Sequence, residues 1–284
     1  MKLGPLYHTG IILSLNAASL ATVCTVLAFG EWSAGYFLMV FLITYAVYGL
    51  DRLTGIDEDL ASQPERARFL KNWRRPFGAS IALSFLGAFL LAAARGWVAA
   101  LVPVAPAVIA AYSGNLSERV FHFRGPDLKR YFLVKDAAIA SGWAFLLPLG
   151  ALYLGRPMGT GAWIFLLPLF VKLFVMASIY DFKDIDSDRK AGVRTLPVVL
   201  GEKKSRAVLH VLNAAATAGM IALVAAGILP FVGLIFVPAF LYAAVLIHLS
   251  RRDAPGWVFF VVADLEQFFW LSCAGTWGWA AAAL

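Results

Sequence analysis

Long, largely apolar runs, separated by short charged segments, dominate the chain. They lie at Thr9–Gly30, Trp32–Leu50, Pro76–Ala94 and Gly96–Ser117, and again at Tyr131–Leu154, Pro157–Tyr180 and Trp257–Leu284. Each is long enough for a helix to cross a hydrocarbon core, which takes about 20 residues. Between the last two lies Ala207–Ile247, 41 residues whose only acidic or basic side chain is His210. That is too long for one crossing, and GILPFVG at Gly227–Gly233 supplies a break, because glycine and proline punctuate helices. The pattern predicts an all-α polytopic membrane protein with nine transmembrane helices. The opening MKLGPLYHTGIILSLNAASLA has the basic start and apolar middle of a signal peptide. Its apolar character runs on to about Gly30, which predicts an uncleaved first span.

Composition agrees with the pattern. Of the 284 residues, 61% are hydrophobic and 14% charged, and the mean hydropathy is +0.77, too apolar to cover a soluble surface. Cys24 and Cys273 lie in apolar runs near opposite ends, so neither a disulfide framework nor a zinc site can be read from them. Charge then orients the spans. All of the 24 lysines and arginines except Arg95, Arg156 and Lys172 fall at the N-terminus or around the segments after spans 2, 4, 6 and 8. By the positive-inside rule this side is cytosolic, which puts the N-terminus in the cytosol and the C-terminus outside, most simply in the cell membrane. The net charge of +7 is thus a topology signal, suited to an anionic lipid surface rather than to nucleic acid.

The acidic residues concentrate on the same side, after span 2 (Asp51, Asp57, Glu58, Asp59) and after span 6 (Asp181, Asp184, Asp186, Asp188). Spans 2 and 6 are four apart, which suggests two four-helix halves with one acidic helix-loop each. If span 6 continues as a helix past Tyr180, Asp181, Asp184 and Asp188 stand at i, i+3 and i+7 on one face, and Asp186 points elsewhere. Three carboxylates on one stripe repel unless a cation lies between them, and hard oxygen ligands in this number suit Mg²⁺. Other readings remain open at this point. A cluster of charges at a helix end is commonly a solvated loop. A proton or cation pathway would use intramembrane acids such as Asp264 and Glu266. An EF-hand is ruled out by Arg189 and Thr195, which stand where its glycine and its bidentate glutamate belong.

The continuation narrows the choice. Asp181, Asp184 and Asp188 are followed by Gly192, then Thr195-Leu196-Pro197-Val198, then Gly201. This resembles the second signature of the UbiA-type intramembrane prenyltransferases, DxxDxxxD followed at fixed distance by a glycine, TLPV and a glycine. The nine spans, the placement of both acidic segments and the length match as well, so the resemblance covers residues 1–284 as a single domain. Lys129-Arg130 before span 5 matches a family Lys-Arg pair, with Gly125 where a tyrosine is common. The first signature departs from the family pattern NDxxDxxxD. Asp51-Arg52 keeps its central pair, whereas Val47-Tyr48 replaces the leading Asn-Asp and Gly55 replaces the last aspartate. Asp57, Glu58 and Asp59 are shifted in phase by two to four residues.

The resemblance implies nine helices around a central cavity and a polyprenyl diphosphate substrate whose tail lies in the bilayer. It implies Mg²⁺ held by Asp181, Asp184 and Asp188, with Asp51 on a second or shared ion. Arg52, Lys129, Arg130, Lys183 and Arg194 become candidates for the diphosphate. The prenyl group would pass to an unidentified small acceptor; a terpene cyclase on the same scaffold is the alternative, suited to the altered first signature. Lys135 and Asp136 stand side by side at the start of span 5, either as a cavity-lining charge pair or as an ordinary helix end at the headgroups. Asp264, seven residues and ~10 Å of helix below Trp257, is a candidate substrate contact, with Glu266 about 160° away on an ideal helix.

Overall fold

The computed structural model of the chain describes residues 4–56, 64–104 and 131–282. In chain order the α-helices are α1 (Gly4–Thr9), α2 (Ile11–Phe29), α3 (Ala34–Thr54), α4 (Pro64–Asn72), α5 (Arg74–Ala93), α6 (Val134–Ala144) and α7 (Leu146–Leu154). They continue as α8 (Thr160–Tyr180), α9 (Ile185–Ala191), α10 (Leu196–Leu200), α11 (Glu202–Ala225), α12 (Phe236–Leu249) and α13 (Glu266–Ala282).

Seven helical segments are long and apolar enough to cross a membrane. They are Ile11–Phe29, Ala34–Thr54, Arg74–Ala93, Val134–Leu154, Thr160–Tyr180, Glu202–Ala225 and Phe231–Leu249. The break expected in GILPFVG is real: α11 stops at Ala225, Gly227 takes a left-handed φ of 69°, and a 3₁₀ turn over Phe231–Ile235 leads into α12. Nine spans are not all seen. Most of the expected fourth, Gly96–Ser117, lies outside the described residues. The expected ninth is not one regular helix but a π-helical turn at Val258–Val262, a 3₁₀ turn at Ala263–Leu265 and then α13.

Contacts divide the chain into two compact units, one of Met1–Ala21, Ser33–Pro126 and Leu152–Arg156, the other of Thr22–Trp32, Asp127–Ala151 and Pro157–Leu284. In the first, α3 and α5 lie along one another. Ser33 caps α3, its hydroxyl accepting from the Tyr36 N–H at 3.2 Å, and Gly55 closes the helix by donating to the Asp51 carbonyl at 2.9 Å. Tyr45, Ala46, Phe77 and Ile81 bury the seam, together with Ala67 and Leu70 of α4. The Tyr45 hydroxyl shares a hydrogen bond with Ser80 Oγ at 2.9 Å, so the ring's one polar atom is not stranded in an apolar seam. The approach is closest at Gly49, where a Cβ would come within 2.9 Å of Ile81 Cγ1.

In the second unit α8 is the axis. It packs most extensively against α11 and α6, while α12 packs against α11 and α13. Lys172, Leu173, Phe174, Val175, Met176, Ala177, Ser178 and Ile179 are all buried, so this stretch has no free face. An ammonium in an apolar interior is tolerable only with partners. Lys172 Nζ donates to Asn213 Oδ1 of α11 at 2.5 Å, and Asn213 Nδ2 donates to the Phe240 carbonyl of α12 at 3.1 Å.

The aspartate-rich segment differs from the single helix its spacing predicts. α8 ends at Tyr180. Bonds of 3₁₀ type from Phe182, Lys183 and Asp184 to residues three back carry the chain to α9. The helix dipole gives the reason. Carboxylates are disfavoured at the negative end of α8 and favoured at the positive end of a new helix, and Asp186 and Asp188 occupy the first turn of α9. α9 closes in a Schellman motif: the Val193 N–H donates to the Asp188 carbonyl at 2.8 Å and the Gly192 N–H to the Arg189 carbonyl at 3.3 Å, with Gly192 at φ 73°. Thr195 then turns the chain in extended conformation, and Pro197 occupies the first turn of α10, where its missing N–H costs nothing. Gly201 at φ 76°, ψ 161° joins α10 to α11 in a region open almost only to glycine. The glycine–TLPV–glycine spacing is therefore the backbone recipe for leaving α9 and entering α11.

Three substitutions check these constraints by thermal unfolding in detergent. Gly49→Ala overpacks the α3–α5 seam and should cost about 1–3 kcal/mol. Gly78→Ala on α5, where a Cβ would meet Leu53 Cδ2 at an ordinary 3.7 Å, should be neutral or slightly stabilising. Gly201→Ala has open space around its Cβ, so its expected loss of about 1–3 kcal/mol comes from backbone strain alone.

Candidate functional site

The second unit gathers the charged groups around the end of α8. The Lys135 ammonium, from the first turn of α6, lies 2.8 Å from Asp181 Oδ1 and 3.3 Å from Asp188 Oδ2. The helix break therefore does not scatter the two carboxylates; they meet on one cation. Asp181 is 1% exposed and its Oδ2 has no hydrogen-bond partner among the described residues. Burial, and after it the neighbouring Asp136 carboxylate, push the Asp181 carboxyl above the usual carboxylate range, against the pull of Lys135. Asp136 is fully buried and accepts from Ser178 Oγ at 3.2 Å, while its Oδ1 also has no partner among the described residues.

Asp184 is the more open member. Its side chain is 41% exposed, with Lys183 Nζ at 3.8 Å. Burial raises its carboxyl pKa, opposed by Lys183 and Lys135. Asp186 is not on Lys135 and has a partner of its own. Arg252, beyond α12, donates to its Oδ2 through Nε at 2.7 Å and approaches it through Nη2 at 2.6 Å, tying α9 to the segment after α12. The basic pair Arg251-Arg252 after the eighth span was the available signal for this tether.

Arg194 lies exposed between α9 and α10. Asp264 is buried and accepts from the Tyr180 hydroxyl at 2.5 Å. Asp264 thus meets Tyr180 of α8, and Glu266 is 2% exposed. The chain over 258–265 runs through irregular turns rather than one helix. Tyr180 and Ser178 were not singled out by sequence, although both lie on the turn of span 6 that runs into the aspartates.

In the first unit, Asp51 is exposed in the last turn of α3. Arg52 donates through Nη1 to the His8 carbonyl at 3.2 Å and lies against Gly10, so it secures the N-terminal helix. Lys129, Arg130, Asp57, Glu58 and Asp59 lie outside the described residues.

Among the described residues, no three acidic, histidine or cysteine side chains stand close enough together to hold a metal unaided. Mg²⁺ is usually bound by one or two carboxylates, with waters and substrate phosphates completing its shell. Two carboxylates already focused on a cation fit such an ion.

Comparison with solved structures shows that the fold is a known one. A UbiA homologue from Aeropyrum pernix K1 in its apo form aligns over 94% of this chain and 97% of its own, with a TM-score of 0.64 and 19% identity. A UbiA homologue from Archaeoglobus fulgidus bound to GPP and Mg²⁺ aligns over 96% and 98%, with a TM-score of 0.65 and 13% identity. A digeranylgeranylglyceryl phosphate synthase structure aligns over 96% and 99%, with a TM-score of 0.56 and 15% identity. Comparison with curated protein sequences finds no match. The family model for UbiA prenyltransferases matches residues 18–273, nearly the whole chain, and the protein belongs to the UbiA prenyltransferase family.

Proposed function

We propose that the protein catalyses Mg²⁺-dependent transfer of a prenyl group from a polyprenyl diphosphate to a small acceptor within the membrane, with release of pyrophosphate. One observation carries this reading: Asp181 and Asp188, on either side of a helix break, converge on a single cation. The fold neighbour bound to GPP and Mg²⁺ supports the choice of ligands.

In this reading Asp181, Asp184 and Asp188 are the second-signature ligands, and Asp51 is the ligand remaining in the first. Bound there, Mg²⁺ would neutralise charge that grows on the diphosphate as its C–O bond breaks. The chain's own groups do the rest. Lys183 and Arg194, with Lys129, Arg130 and Arg52, would bind and orient the diphosphate oxygens and stabilise the departing pyrophosphate. Asp264, held by Tyr180, is a polar contact for the substrate. The chain would act as one domain in the cell membrane, its acidic segments and N-terminus facing the cytosol and its C-terminus outside.

A cyclase acting without an external acceptor is the second reading, and the first signature favours it. Gly55, where the family has an aspartate, is spent here on closing α3.

Purified protein incubated with Mg²⁺ and geranylgeranyl diphosphate, alone and with candidate acceptors, should release pyrophosphate. Release that depends on added acceptor identifies a transferase. A hydrocarbon or alcohol formed without acceptor identifies a cyclase, and no release with any chain length excludes both. Asp184→Ala should reduce turnover at least 100-fold, an effect on the order of 3 kcal/mol or more on the barrier, while the protein keeps its thermal transition. Full activity in that variant would remove the carboxylates from the mechanism.

A further inference from the structure

α9 is seven residues long, too short to persist as a helix by itself, so its orientation has to come from what holds it. Within it Asp186 and Asp188 stand about 200° apart around an ideal helix axis, on opposite faces. On one face Asp188 Oδ2 lies 3.3 Å from Lys135 Nζ of α6. On the other, Arg252 reaches Asp186 Oδ2 through Nε at 2.7 Å and through Nη2 at 2.6 Å. Arg252 is itself held. Its backbone N–H donates to Glu202 Oε2 in the first turn of α11 at 3.4 Å, and the Ser250 carbonyl accepts from Arg206 Nη1 of the same helix at 3.1 Å. Ser250 is buried, and its hydroxyl donates to the Leu246 carbonyl at 2.7 Å. One arginine thus touches the chain on both sides of the glycine–TLPV–glycine segment, at Asp186 before it and at Glu202 after it.

We propose that Arg252 is a positioning residue for the second signature: by holding Asp186 it fixes the rotation of α9 about its own axis, and with it the direction in which Asp188 presents its carboxylate. This role rests on the reading of Asp188 as a Mg²⁺ ligand given above, whereas the hold on α9 does not. A short helix gripped on one face can roll, and gripped on opposite faces it cannot. Mg²⁺ demands near-ideal octahedral geometry, so a small roll of α9 is felt by the ion. Fold stability is not what the pair contributes. The Arg252 and Asp186 side chains are 55% and 48% exposed, and ion pairs as open as this add little to a fold. Arginine suits the task better than lysine, because its planar fork of donors loses less freedom per hydrogen bond than an ammonium on a flexible stem. Neither residue belongs to the DxxDxxxD set, and neither needs to touch the ion.

The sign of one effect separates positioning from plain electrostatics. Neutralising a cationic side chain near a cation site should, by Coulomb's law alone, tighten that site or leave it unchanged. Positioning predicts the opposite. Mn²⁺ binding to the purified protein, followed by electron paramagnetic resonance without diphosphate, should be about three- to fivefold weaker in Arg252→Gln than in the parent, with the thermal transition nearly unchanged. Amide hydrogen exchange over Ile185–Ala191 should be faster in the same variant, and exchange over Thr160–Tyr180 unaltered. Asp186→Asn/Arg252→Gln should bind Mn²⁺ no more weakly than Asp186→Asn, because the second change removes a contact already lost. Mn²⁺ affinity equal to or above the parent's in Arg252→Gln, or unchanged exchange in α9, overturns the proposal, and so does a further loss in the double variant. Should Arg252→Gln fail to fold, Asp186→Asn carries the exchange measurement. Arg252→Lys, which keeps the charge but not the fork, then carries the Mn²⁺ measurement and should bind more weakly than the parent. Asp188→Asn separates the two levels of inference. If it loses Mn²⁺ while Arg252→Gln does not, only the role of Arg252 falls. If it binds Mn²⁺ as the parent does, the metal reading itself falls.

Discussion

Everything near the end of α8 depends on how carboxylates can be kept beside apolar surroundings. Asp136 and Asp181 are almost wholly shielded from water, and Asp188 stands with them. Unopposed, they would repel one another and resist ionisation. The Lys135 ammonium answers both difficulties, and the helix break lets two carboxylates reach it. α8 ends at Tyr180 and α9 begins after Asp184, so Asp181 and Asp188 approach one cation from two helices rather than from one stripe. A left-handed glycine closes α9, and Thr195 and Pro197 begin the next helix.

Much of this was legible in the sequence, and the limits have physical causes. Apolar run lengths located the seven described segments long and apolar enough to cross a membrane, because a span has to satisfy its own backbone in lipid whatever lies beside it. The break between α11 and α12 was readable from Gly227 and Pro230, which act locally. Asp181, Asp184 and Asp188 were readable as a set from spacing and from the glycines and TLPV that follow. Their arrangement was not, because periodicity assumes one helix and takes no account of the dipole that divides this segment in two. The convergence on Lys135 was equally hidden, since residues 46 apart in sequence meet only through tertiary packing. Lys135-Asp136 could be noticed as a pair but not distinguished from an ordinary helix end.

The last span shows the same limit from another side. Its composition reads as one apolar helix, and an ideal helix would send Asp264 and Glu266 in opposite directions. The segment instead runs through π and 3₁₀ turns, and Asp264 there accepts from the Tyr180 hydroxyl. Departures of this kind recur at functional positions, where a few polar contacts are worth more than an unbroken hydrogen-bond ladder.

The stretch from Lys172 to Ile179 has buried side chains all round. A helix with one lipid-facing side can absorb a changed residue by rolling or sliding a little. This one has no slack in either direction. Its partners grip it at both ends, Asn213 on Lys172 and Lys135 on Asp181. A change of side-chain volume there has to be taken up by the helix as a whole, which ends at Tyr180 beside the aspartates, about 12 Å further along at 1.5 Å per residue.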